Sequence, residues 1–191
     1  MEDGQQSFWD YSLQLYAKDG FESAAISLQD DDGLDVNLLL ACFWAAARGW
    51  DLTPGIMRRL VAATEVWQRD MVGGLRHLRR ALKGRSGEDI DSLRHYAKLR
   101  ELDGEKVEQK LIEDLLCGEF AGPMAGVPGE DSAQEEFIAA AAATNLKAYL
   151  SVSGLELSPE INSKLLMLLQ AAFGGGKETD IATRLLKIVA K

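Results

Sequence analysis

Apolar residues recur at intervals of three and four almost throughout this chain, and no stretch alternates apolar and polar residues between turn signals. That periodicity predicts an all-α protein. Ser7 is placed to cap a first helix, FWDYSLQLYAK, which Asp19-Gly20 ends, and a second runs from Phe21 to Gln29. After the acidic turn Asp30-Asp31-Asp32-Gly33, Asp35 caps a third helix on which Val36, Leu39, Leu40, Phe43, Trp44 and Ala47 form one stripe. Its other faces carry Leu38, Ala41, Cys42, Ala45 and Ala46. A helix apolar on every side is one surrounded by others, so Val36–Ala47 is expected at the centre of the bundle.

Thr53-Pro54 marks the next start, because proline at the first helical position sacrifices no hydrogen bond. Ile56, Leu60, Ala63 and Trp67 line one side of that helix, and Gly73-Gly74 weakens or kinks it before LRHLRRALK. A long helix from about Asp89 to Cys117 follows, with an expected inward seam of Ile90, Leu93, Ala97, Val107, Leu111 and Leu115 that also takes in Arg100 and Gly104. AGPMAGVPGEDS, rich in proline and glycine, is the one strong linker. It divides the chain into a helical bundle domain (1–120), a linker (121–131) and a small C-terminal unit of three helices (132–191), the last of them carrying Ile181, Leu185, Ile188 and Val189.

The formal charge of −9 argues against a general nucleic-acid coat and against attraction to anionic membranes. The first residues, MEDGQQSFWD, lack the basic and apolar regions of a signal peptide, and no apolar run is long enough to span a bilayer, so a cytoplasmic location is expected. The charge is uneven: residues 51–100 hold eleven Lys/Arg against six Asp/Glu, while the segments on either side are strongly acidic. Within the basic segment Arg76, Arg79, Arg80 and Lys83 gather along one side of a short helix whose leucines face in. One outcome is a solvated helix paired with the acidic helix at 101–119. The other is a docking patch for an acidic or phosphate-bearing partner, arginine being suited to bidentate contacts. RNA is a further candidate partner, with Tyr96 the one stacking aromatic nearby.

Other chemistry is sparse. With His77, His95, Cys42 and Cys117 as the only soft ligands, no metal site is expected, and nothing indicates a cofactor. Gly174-Gly175-Gly176-Lys177 lacks the leading glycine, the following Ser/Thr and the preceding strand of a phosphate-binding loop. Asp30, Asp32 and Gly33 match three positions of a calcium loop, but Leu28 and Leu39 occupy its first and twelfth. Glu101 and Glu105 share a helix face, a spacing usual for surface charges. Cys42 lies among apolar residues that make a thiol inert. Trp9, Trp44, Trp50 and Trp67 are expected in the core. Asp10, Asn37 and Arg100 stand out as polar residues on apolar helices or seams; they are expected to form a buried network with an Arg100–Asp10 contact, and a polar pocket beside it is the only route to an enzyme.

The order Phe8-Trp9-Asp10, Leu13-x-x-Tyr16, Asp35-Val36-Asn37-Leu38-Leu39-Leu40, Trp44, Arg48-Gly49, Trp67, Leu75-Arg76-x-x-Arg79-Arg80 and Glu101-Leu102-x-x-Glu105 resembles a bacterial family of small helical proteins classed as a domain of unknown function. The resemblance spans about residues 7–120 and implies a soluble bacterial protein, with no activity, cofactor or catalytic residue to carry over. Members have proline in the turn before the Leu-Arg-x-x-Arg-Arg helix; Gly73-Gly74 here implies a looser kink. A protein-interaction or regulatory module is therefore expected.

Overall fold

The computed structural model describes residues 6–121 and 132–173, apart from the side chains of residues 132 and 133. The chain is all-α: α1 (Phe8–Tyr16), α2 (Phe21–Asp32), α3 (Val36–Ala47), α4 (Pro54–Trp67), a π-helical turn (Gln68–Val72), α5 (Gly73–Ala81), α6 (Glu88–Glu119), α7 (Ser132–Ser153) and α8 (Pro159–Phe173). The starts follow local chemistry. Ser7 accepts from the Asp10 amide, Asp35 from Asn37 and Thr53 from Ile56, each satisfying an N–H that a helix leaves unbonded. Gly33 ends α2 in the left-handed conformation, φ 73°.

As its composition predicts, α3 is the hub, and every residue from Val36 to Ala46 is buried. Helix α7 runs along it, α1 and α6 flank it, and α8 packs on α2. Small residues make this closeness possible: Ala41, Ala45 and Ala46 of α3 and Ala139, Ala142 and Ala143 of α7 are all buried. The described residues of 6–120 and of 132–173 thus share one core, which holds α3 together with Leu146 of α7 and Leu165 and Leu168 of α8. The expected final helix and the Gly174–Lys177 stretch fall outside the described residues, as does all but residue 121 of the expected linker.

At its C-terminal end α3 is tied down by a residue the sequence did not flag. Asn145 of α7, fully buried, donates to the carbonyls of Cys42 and Trp50 (3.1 Å each) and accepts from the Leu52 amide (2.8 Å). Of the four tryptophans expected in the core, Trp44 and Trp50 are buried there and Trp9 and Trp67 are only half-buried outside it. Trp44 stacks on Phe8 and Trp50 on Phe120, and the Arg48 guanidinium lies 4.4 Å from the Trp44 ring centroid.

Two features differ from the sequence pattern. The irregularity expected at Gly73-Gly74 lies just before it, where the run from Pro54 to Ala81 passes through the π turn, and Gly73 closes that turn where a Cβ would meet the Gln68 carbonyl at 3.0 Å. On α6 the inward line is Ala97, Glu101, Gly104, Glu108, Ile112 and Leu116, so only Ala97 and Gly104 of the expected seam are buried. Leu93, Val107, Leu111 and Leu115 are exposed. Gly104 sets this register: its carbonyl accepts from Trp67 Nε1 (2.9 Å), and a Cβ there would lie 3.2 Å from Val72.

Asn145→Ala strands the Trp50 carbonyl and the Leu52 N–H in the interior and removes a bond to the Cys42 carbonyl; it is expected to lower stability by about 2–4 kcal/mol, read as a fall in the urea midpoint at unchanged slope.

Candidate functional site

The polar groups of the body converge on one seam, where α6 meets the start of α3, α1 and α5. Asn37, in the first turn of the hub, is buried and bonded at both ends of its amide: its Nδ2 donates to Glu108 Oε2 and its Oδ1 accepts from Gln109 Nε2, both at 2.9 Å. The Ser12 hydroxyl, 3.1 Å from Gln109 Oε1 and 2.9 Å from the Phe8 carbonyl, shares its proton between them. Four residues from three helices are locked together with no solvent in reach.

Asp35 and Glu108 form a carboxyl pair inside this seam. Asp35 caps α3 through the Asn37 amide (2.8 Å), and its own amide donates to the Tyr149 hydroxyl (2.8 Å). Glu108 is wholly buried; Oε2 is occupied by Asn37, and Oε1 receives no donor. A bare anionic oxygen beside Asp35 would be costly, whereas a proton on Glu108 supplies the hydrogen bond joining the two acids. Burial, then the negative charge of Asp35 and the hydrogen bond to it, push the Glu108 carboxyl up to about 9. Burial also raises Asp35, against the hydrogen bonds from Glu108, the α3 backbone and Gln68 in the π turn. Burial and the negative charge of Asp35 thus favour Glu108 in its protonated form.

Farther along α6 the seam becomes ionic. Arg76 of α5 donates from Nε to Glu101 (2.8 Å) and from Nη2 to Glu105 (2.8 Å), and Arg79 grips both oxygens of Glu101. Burial alone would raise Glu101, but the hydrogen bonds and charges of Arg79 and Arg76 outweigh it and hold the carboxyl below its usual range. Glu105 keeps a raised value, burial outweighing Arg76. Burial and the charge of Glu105 together raise the Tyr16 hydroxyl.

These contacts relocate the residues singled out by sequence. Arg76, Arg79 and Arg80 do not form an outward row: Arg76 is 13% exposed and clamped as above, and Arg80 pairs with Asp30 of α2. Intramolecular carboxylates already occupy the forks expected to receive a partner, and Lys83 is left exposed without an ion pair. The trio Asp10, Asn37 and Arg100 is dispersed. Asp10 is exposed and takes a hydrogen bond from Ser7, Arg100 is exposed and pairs with Asp103 one turn away, and only Asn37 is buried. The expected Arg100–Asp10 contact and the pocket beside it are not formed, because residue 100 lies on the outer side of α6. The partners of Asn37 are instead Glu108 and Gln109, which the sequence did not single out; the signal for Glu108 was that it falls in line with Ala97, Glu101, Gly104, Ile112 and Leu116. Asp30–Asp32 end α2 instead of forming a calcium loop, and Lys164 of α8 holds Asp31 and Asp32 at 2.8 and 2.7 Å.

Among the described residues no group of His, Cys, Asp and Glu is arranged to hold a metal ion. Burial pushes the Cys42 thiol far above its ordinary range, out of reach of nucleophilic chemistry. The seam can therefore hold a proton and fix helix register.

A carboxyl raised on folding adds stability that is complete below its unfolded value near 4.5 and is lost as pH climbs through about 9. Glu108→Gln, which keeps the shape and supplies a permanent donor, should flatten this decline. Its stability relative to the native chain should grow by at least about 1.4 kcal/mol from pH 5 to pH 9, the worth of a single unit of displacement, in urea titrations across that range.

No curated protein and no solved structure matches the chain. A family described as a protein of unknown function (DUF2390) matches residues 7–112, a span that takes in the hub helix, both carboxyls of the pair and the arginines clamped on α6. With more than half its length covered, the chain belongs to that family.

Proposed function

We propose that this chain is a cytoplasmic protein-interaction module that docks an acidic partner surface through the hairpin formed by α5 and the first half of α6. The carrying observation is that α5 contains no buried residue and that Ala97 is the one buried residue of α6 before Glu101. Two amphipathic helices with so little of their own surface buried have a core only half completed. Leu78, Leu93 and Tyr96 are left exposed on the hairpin. Beside them Lys83, Arg85, Arg94 and Lys98 are exposed and hold no ion pair. Arg76 and Arg79 serve this surface from within by fixing α5 on α6, which moves the docking charge from the inner arginines to the outer four.

An apolar patch beside unpaired cations suits a partner that brings both carboxylates and apolar groups, since apolar contact supplies affinity and charge supplies steering. The acidic remainder of the chain repels such a partner everywhere else, so encounters are directed to the hairpin. Free Cys42 and Cys117 fit a reducing compartment. No described helix is long and apolar enough to cross a membrane.

Polyglutamate and single-stranded RNA of equal charge serve as probes for biolayer interferometry with the full chain. Tighter binding of polyglutamate, weakened at least about tenfold by the triple change Arg85→Glu, Arg94→Glu and Lys98→Glu at unchanged helicity, is expected. Binding that survives this reversal refutes the hairpin as the docking surface, and preference for RNA with a steep salt slope replaces the acidic protein by a nucleic acid. Reversal of Arg76 and Arg79 should instead lower the melting temperature, because it leaves Glu101 and Glu105 facing like charge.

A further inference from the structure

The chain has two histidines, and both stand exposed on the hairpin, His77 on α5 and His95 on α6. Histidine is the side chain whose charge ordinarily changes between pH 5 and 8. Neither ring takes part in a hydrogen bond or an ion pair, and the one ring contact is that of His95 with Tyr96, 6.1 Å between centroids. Both are therefore free to gain or lose a proton at the surface proposed for docking.

The charge balance of the hairpin decides how much those two protons matter. From Gly73 to Arg100 the unpaired cations are Lys83, Arg85, Arg94 and Lys98. The unpaired acids are Glu88, Asp89 and Asp91, which stand in the first turn of α6, where the helix dipole favours them. Every other charge of the stretch is matched: Arg76 and Arg79 by Glu101 and Glu105, Arg80 by Asp30 and Arg100 by Asp103. With both rings neutral, four free cations against three free acids leave the hairpin a single positive charge. Two imidazolium ions raise it to three. The steering of an acidic partner thus depends on the histidines more than on any other titratable pair of the surface.

The elements packed against the hairpin leave that added charge uncancelled. Glu101 and Glu105 of α6 are held by Arg76 and Arg79, Asp30 of α2 by Arg80, and Asp70 of the π turn by Arg69. On its own helix His77 has Arg80 one turn on, and His95 lies between Asp91 and Lys98, one turn to either side. Glu105, whose carboxyl burial raises, is the other group here whose proton affinity is increased, and it takes its proton inside the clamp instead of on the outer surface.

We infer that docking at the hairpin is proton-gated: with His77 and His95 charged, it holds an acidic surface more tightly than with both neutral. The inference rests on the docking role proposed above and supplies its regulation. By reciprocity, an acidic partner seated on the hairpin raises the affinity of both rings for protons.

Binding of polyglutamate to the full chain, read by biolayer interferometry at pH 8 and pH 6 in dilute buffer, is expected to tighten at least about threefold at the lower pH. The double variant His77→Gln, His95→Gln should bind at pH 8 as the native chain does and show no tightening, with helicity unchanged because both positions are exposed. Each single variant should keep part of the effect, so if one fails to fold the other still reads it. Followed by NMR, the imidazole ring protons of the native chain should titrate at a higher pH once polyglutamate is added. Native binding that is equal at the two pH values overturns the inference and leaves the docking surface standing. No native binding at either pH removes the docking surface itself, and this inference with it. A tightening that the double variant retains also overturns it, because the proton then sits on Glu105 or on the probe.

Discussion

A helix enclosed on all sides cannot rely on water to satisfy its ends, and α3 is such a helix. Four amides at its start and four carbonyls at its end must find protein partners or remain bare in a low-dielectric interior. The bundle meets this requirement with side chains from other helices. At the start, Asp35 and Asn37 stand in the cap and first turn, and Glu108 and Gln109 of α6 and Tyr149 of α7 close around them. At the end, the Ala45 and Ala46 carbonyls accept from the amides of Arg48, Gly49 and Trp50, and Asn145 of α7, bonded to the Cys42 carbonyl, fixes the turn that carries Trp50 and Leu52. The positions of α6 and α7 around the hub follow from these bonds as much as from apolar packing, which is non-directional.

The acid pair is a consequence of that enclosure. Asp35 is retained as a cap because its oxygen reaches the Asn37 amide, and Glu108 is drawn in by the Asn37 side chain; each contact is favourable, but together they place two carboxyls side by side. A proton on Glu108 resolves the conflict. The neighbouring Arg76 and Arg79 serve Glu101 and Glu105 one to two turns away and leave Glu108 without a cation. One helix face thus presents two solutions to the burial of a carboxylate, charge pairing at one end and protonation at the other.

Sequence was most informative where a single mechanism acted alone. The apolar character of α3, the caps at Ser7, Asp35 and Thr53, and Pro54 at the first helical position all read directly into structure. It was least informative on α6, where a seam with Leu93, Val107, Leu111 and Leu115 is the natural choice and the inward line contains Glu101, Glu108 and Gln109. Burial of those three depends on partners remote in the chain, from Ser12 and Asn37 to Arg76 and Arg79, which periodicity cannot supply. The basic helix was legible in part. Of its two outcomes, pairing with the acidic helix at 101–119 is the one formed by Arg76 and Arg79, while the contact of Arg80 with Asp30 of α2 had no signal in the spacing. Asn145 offered no signal beyond being an asparagine in an alanine-rich helix.

The π turn at Gln68–Val72 sets the direction in which the next helix faces. It takes up one residue more than an α-helical turn, so everything beyond it is rotated by about 100° around the axis relative to an uninterrupted α-helix. Without that rotation the guanidinium groups gripping Glu101 and Glu105 would point elsewhere, so a single backbone irregularity aims the whole clamp.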